Sequence, residues 1–197
     1  MIKKESTVFR ITLLCSLIAT GILISFGAAQ SNSLTLARPA DPVKEIAGYR
    51  NWTRVNAEPQ LMPDQTAQLC AAPAPINAKP AANPHAHKYL TVYVNDRGRR
   101  AMLEQKKPAF PEGSIIVKEK LTEKTSSTPE LLTVMIKRGK GFNSTSGDWE
   151  YMVVDGSGTN VTAQGKLENC QSCHSARPAT DYVFRTYLPS DVLTRLK

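Results

Sequence analysis

Histidine and cysteine are scarce in this chain, at three and four among 197 residues. A single C-x-x-C pair is present, so a four-ligand zinc site would have to draw its remaining ligands from among Cys70, His85 and His87. The pair also lacks the βαβ surroundings of a thioredoxin-like redox site. Aromatic residues make up only 7% of the chain, and none is interleaved with the basic clusters at 97–100, 106–107, 118–120 and 137–140. Without stacking partners those clusters read as solvated faces, which argues against a nucleic-acid role and suits docking of an acidic redox partner.

The first residues are different in kind. Lys3, Lys4 and Arg10 precede the apolar run 11–26, and Gly27-Ala28-Ala29 supplies small residues where a signal peptidase reads them. Residues 1–29 are therefore expected to be a cleaved signal peptide, the alternative being an uncleaved membrane anchor. Their removal takes away three basic residues and Glu5, lowering the formal charge from +8 to +6. The expected compartment is a periplasm. Residues 30–42 read as a flexible leader and 43–197 as one domain, long enough to bury an adequate core.

Along that domain, residues 43–55 place apolar side chains at roughly helical spacing and predict a short helix. Six prolines between 58 and 84 exclude a long helix or a central strand there, and predict a surface excursion. Alternating or β-branched stretches at 89–95, 113–121, 131–137 and 148–155 predict strands, with Gly156-Ser157-Gly158 as a turn. A short helix is expected over 99–106, another over 167–175, and a strand or extended segment over 181–187. The sum is an α+β fold, a β-rich antiparallel sheet with peripheral helices.

The C-x-x-C-H run Cys170-Gln171-Ser172-Cys173-His174 carries the chemistry. Two cysteines one helical turn apart can both reach the vinyl groups on one porphyrin edge, and the following histidine can serve as the axial iron ligand. One covalently attached haem c per chain is expected, bound through Cys170 and Cys173 with His174 on the iron. Haem attachment of this kind takes place outside the cytoplasmic membrane, so the export signal and the motif agree.

Other stretches extend the pattern. Tyr49-Arg50-Asn51-Trp52, Val92-Tyr93-Val94-Asn95, the run from Phe110 to Glu119, Gly147-Asp148-Trp149-Glu150-Tyr151, the C-x-x-C-H run and Thr180-Asp181-Tyr182-Val183-Phe184 occur together and in this order. In this the chain resembles the cytochrome P-460 family, which includes the β-sheet cytochromes c′. The resemblance implies a homodimer with an antiparallel sheet over one haem and an open distal side. It implies hydroxylamine oxidation where a lysine is cross-linked to the porphyrin, and nitric oxide binding without turnover where it is not. Lys118 matches the cross-linking lysine. Strand alternation puts it on the face of Ile116 and away from Ile115, Val117 and Glu119, with Lys120 as the fallback.

Hydroxylamine oxidation also releases protons, which calls for a carboxylate near the open side. Glu119, Asp148, Glu150 and Glu168 are the candidates, and Glu168 is the one nominated here. Met102, Met135 and Met152 read as core residues before iron ligands. His85 and His87 read as part of a polar loop, and Cys70 as either a buried thiol or a link between subunits. The loops at 71–88 and 139–146 are expected to shape the open side. The partners expected are a small nitrogen-oxide ligand and a periplasmic redox protein; a simple electron carrier is the remaining alternative.

Overall fold

β-Branched and apolar residues alternate along four stretches in the middle of the chain, and each becomes a strand of one antiparallel sheet. The structure, a computed structural model, describes residues 41–69 and 85–197. The proposed signal peptide, the leader up to residue 40 and Cys70 lie outside them. The strands are β1 (Thr53–Arg54), β2 (Gln60–Leu61), β3 (Tyr89–Val94), β4 (Ile115–Leu121), β5 (Leu131–Lys137), β6 (Trp149–Asp155) and β7 (Val161–Gly165). Their order is β1-β3-β4-β5-β6-β7, with β2 also pairing β3, and every pairing is antiparallel. Helices α1 (Pro42–Glu45), α2 (Asp64–Leu69), α3 (Asp96–Leu103), α4 (Glu168–His174) and α5 (Ser190–Leu196) lie around the sheet. This is the expected α+β class.

Side chains alternate across a strand, so the sheet sorts its residues into two cores. One face carries Ile115, Val117, Leu132, Val134, Ile136, Met152 and Val154, closed by Ile46 with Tyr49 and Trp52 packed against it. The other carries Val92, Val94, Ile116, Met135, Trp149 and Tyr151, covered by Ala101 and Met102 of α3, Phe110, and Val183, Leu188 and Val192 of the C-terminal stretch. Among the described residues no helix is long and apolar enough to cross a membrane.

Three local expectations need correction. The helix predicted over 43–55 stops at Glu45, because Gly48 adopts φ +71° and the chain re-forms only as a single 3-10 turn at Tyr49–Asn51 before entering β1. Asp181–Tyr187 is not a strand: a 3-10 turn ends at Thr180, and Asp181 and Tyr182 both sit in the left-handed region at φ 52° and 63°. The helix placed at 99–106 begins earlier, at Asp96, where the Asn95 side chain accepts a hydrogen bond from the Gly98 N–H and caps it.

Candidate functional site

The helix α4 follows the edge strand β7 directly and brings the whole C-x-x-C-H run against the sheet. Cys170, Cys173 and His174 line a cavity floored by Ile116 and Lys118 of β4, Thr133 and Met135 of β5 and Tyr151 of β6. Its atom-free space is about 1110 Å³, part of it open to solvent. The far wall comes from Gln60–Pro63 and Thr66, and from His85 in the turn leading into β3. The residues between the cysteines anchor the helix: Gln171 donates to the Lys166 carbonyl at 2.8 Å and accepts from Asn143 Nδ2 at 3.0 Å. Asn143 Nδ2 also donates to the Trp149 carbonyl of β6.

His174 is oriented by the backbone. Its Nδ1 lies 2.6 Å from the Tyr182 carbonyl, which can only accept, so Nδ1 carries the proton and the Nε2 lone pair is left for a metal. Phe184 and Tyr151 flank the ring at centroid distances of 5.2 and 5.4 Å. Burial first, and the nearby Lys118 charge second, lower its pKa to about 4 against the opposing pull of the Tyr182 hydrogen bond. At neutral pH the imidazole is uncharged, the form a metal needs.

The carbonyl that holds His174 belongs to a strained segment, and the strain is held by Asp181. Two successive non-glycine residues in the left-handed region cost roughly 1–2 kcal/mol each. The Asp181 carboxylate accepts from Lys137 Nζ at 2.7 Å through both oxygens and from the Phe110 N–H at 2.9 Å, while its carbonyl accepts from Trp149 Nε1 at 2.8 Å. Lys137 and Asp181 are mostly buried, and the Lys137 ammonium also lies 5.0 Å from the Trp149 ring centre. Opposite this segment, Gly147 has no room for a side chain: a Cβ there would stand 2.6 Å from the Tyr182 ring, at φ +63°. The Asp181 anchor was not singled out by sequence reasoning. The only signal for it was membership of the Thr180–Phe184 stretch, since its partners are 32 to 71 residues away.

Lys118 points into the cavity, as strand alternation requires. Burial lowers its pKa to about 8; ionised Cys170 acts against that shift and Lys120 with it. Burial therefore makes the amine easier to deprotonate, although at pH 7 most of it still carries its charge, near the Cys170 sulfur. Cys170 is a free thiol whose pKa is raised by burial and drawn back by Lys118. Cys173 is buried one turn further along α4.

The carboxylate candidates lie elsewhere. Glu168 is exposed at the first turn of α4, a position where the helix dipole favours negative charge, and it does not line the cavity. Glu119 faces the opposite side of the sheet and accepts from the Tyr49 hydroxyl and Arg50 Nε at 2.7 and 2.8 Å. Glu150 pairs with Arg138, and Asp148 caps the loop at Gly141 and Asn143. None of the described lining residues is a carboxylate. Of the methionines, Met135 and Met152 border the cavity and Met102 is core. His87 is exposed, whereas His85 is in the wall. The loop 139–146 acts from behind, through Asn143 on α4.

A family model described as cytochrome P460 matches residues 46–185. No curated protein matches the chain. The match takes in every described residue that lines the cavity except Thr186 and Tyr187, and leaves out α1 and α5.

Proposed function

The chain belongs to the cytochrome P460 family, and from that membership, which carries a haem-based redox role, implies a haem c cofactor and is typical of periplasmic proteins, we propose a periplasmic mono-haem c-type cytochrome that handles small nitrogen oxides. The observation that carries this reading is the convergence of Cys170, Cys173, His174 and Lys118 on one mostly apolar cavity. The donor set fits the group. Two sulfurs one turn apart would attach the ring, a neutral imidazole with its Nδ1 proton already committed would ligate the iron, and apolar side chains would exclude water from the faces.

When bound, haem supplies a redox-active iron able to take up a small nitrogen–oxygen ligand and exchange electrons. The chain's own residues do the rest. The Tyr182 carbonyl holds the His174 imidazole in one tautomer, Asp181 anchors the segment that carries Tyr182, and Lys137 holds Asp181. Lys118, its charged form disfavoured by burial, is the amine that lines the cavity where the ring would lie and the feature that favours hydroxylamine oxidation. The lack of a carboxylate among the described lining residues favours the second reading, nitric oxide binding without turnover. Electrons would leave through an external redox protein, and a homodimer is the expected assembly.

Tryptic mapping of purified holoprotein separates the two. The oxidising form requires a Lys118 peptide carrying haem together with hydroxylamine-dependent reduction of an electron acceptor. A haem-free Lys118 peptide with a high-spin, nitric-oxide-binding haem supports capture, and a low-spin six-coordinate signal in electron paramagnetic resonance contradicts both.

A further inference from the structure

Helix α4 ends where the chain turns back along the cavity, and one exposed side chain there is a single ring away from His174. The Arg177 guanidinium carbon lies 4.8 Å from the centre of the Phe184 ring, and that centre is 5.2 Å from the centre of the imidazole. Before the helix, Lys166 is exposed as well, its Nζ 5.4 Å from the Phe142 ring centre. The loop 105–110 is tied to the segment after α4: the Gln105 carbonyl accepts from Arg185 Nη1 at 2.8 Å, and the Phe110 N–H donates to Asp181 at 2.9 Å. That loop exposes Lys106 and Lys107. We propose that Arg177, Lys166, Lys106 and Lys107 form the rim of a docking surface for an acidic one-electron redox protein, which exchanges electrons with the site from the α4 side.

Charge selects the occupant. Several basic side chains elsewhere are matched within the chain: Arg138 by Glu45 and Glu150, Arg50 by Glu119, Lys88 by Glu130. None of the four rim cations is in an ion pair among the described residues. Glu168 is the one carboxylate of α4. An unmatched positive rim attracts a negative partner, and it repels a second copy of a chain whose own formal charge is +8. Arg177 and Lys166 already rest on aromatic rings, so docking costs less side-chain entropy than it would with free side chains. Ser172, Ser175 and Ala176 are exposed between them, and their short side chains let a partner come close, which matters because electron exchange falls off steeply with distance. Redox encounters of this kind use small interfaces, so a few directing charges are enough to orient them.

This inference rests on the haem reading, and the test keeps the two apart. Holoprotein is first checked by its pyridine haemochrome spectrum; a wild type without haem overturns the function reading and this one with it, whereas every later outcome bears on the docking surface alone. Reduced holoprotein is then mixed in stopped flow with an oxidised acidic plastocyanin as the probe. One electron passes from ferrous iron to Cu(II), leaving ferric iron and Cu(I). The plastocyanin's nuclear magnetic resonance shifts give the Kd. Two rim variants, Lys166→Gln with Arg177→Gln and Lys106→Gln with Lys107→Gln, are compared with Lys44→Gln plus Arg54→Gln. The last removes the same charge from α1 and from β1, at the far end of the strand order from β7. At low ionic strength the second-order rate should fall about tenfold or more in the first rim variant and about threefold or more in the second, with Kd raised in step, and stay within about twofold in the control. The differences should shrink in about 0.5 M salt, and Lys166→Arg with Arg177→Lys should restore the rate. Where one rim pair alters the haem spectrum or does not fold, the other decides. A rim variant within about twofold of wild type overturns the proposal, as does equal slowing by the control, which would make net charge the cause. So does a changed oligomeric state in the rim variants, or loss of binding to phosphatidylglycerol vesicles with an unchanged plastocyanin rate, which would assign the surface to a second copy or to lipid.

Discussion

Lys118 and Glu119 are neighbours on β4, yet the two faces of the sheet treat them oppositely. On Glu119's side the face is finished. The carboxylate, 5% exposed, is matched by the Tyr49 hydroxyl and Arg50, and around it Ile115, Val117, Leu132 and Val134 close over an apolar core. On Lys118's side the same strand runs under a cavity, and no carboxylate among the described residues pairs with the ammonium. Buried charges are ordinarily paired, because desolvation penalises a lone one. A face that leaves a lysine, a thiol and two neutral imidazoles around one cavity has kept stability low where chemistry is wanted.

The comparison breaks most sharply at the anchor behind His174. Asp181→Ala removes both oxygens that hold Lys137 and should destabilise the protein by about 3–5 kcal/mol, as loss of one partner of a buried pair does. Chemical denaturation measures the loss, and the haem spectrum should show a disturbed axial ligand as well. A substitution with the same loss of stability and an unchanged spectrum would separate Asp181 from the orientation of His174.

Acid should act on the cavity face. His174 and His85 both have pKa values lowered from 6.5 to about 4, so the unfolded chain takes up protons in that window that the folded state refuses. Stability contributed by their neutrality is complete above about pH 6.5 and lost as the pH falls toward 4. Thermal melts of haem-free protein from pH 7 to 4 should show the fall, and His85→Leu should flatten part of it.

The two neighbours on β4 should respond with opposite signs. Lys118 has a pKa depressed from 10.5 to about 8 in the fold, so at pH 7 the folded state carries the penalty of keeping it charged. Lys118→Met should raise the stability of haem-free protein by on the order of 2 kcal/mol, discounted for its partial exposure. Glu119→Gln removes charge-assisted bonds to Tyr49 and Arg50 and should lower stability by about 1.5 kcal/mol or more. Urea unfolding midpoints of the pair check both signs at once. Least affected is Glu168→Gln: the side chain is exposed and outside the cavity, and the change should stay within about 0.5 kcal/mol with no spectral effect.

Strands β3 to β6 were legible because burial on both faces imposes β-branched and apolar residues at nearly every position. The inward aim of Lys118 followed from the same alternation. Strand β7, with Val161 and Ala163 at an edge and a register shift at Val153/Val154, carries too little apolar pattern to be read. Helix α5 went unread too, its apolar residues confined to the last eight positions of the chain. Cys170, Cys173 and His174 were legible as a local motif. Asp181 was not, because it acquires its role through contacts far apart in sequence that only the sheet order creates. The short helix expected at 43–55 failed on one glycine, whose left-handed backbone outweighs the apolar spacing around it.

The central claim is that the cavity under α4 is a haem c site with His174 as the axial ligand. It is tested most directly by mass spectrometry of the peptide spanning Cys170–His174, taken together with the pyridine haemochrome of the intact protein. One haem per chain, covalently retained on that peptide and absent from it in a Cys170→Ala, Cys173→Ala variant, is the predicted result. A peptide of unmodified mass from protein matured in a haem-attaching periplasm would contradict it.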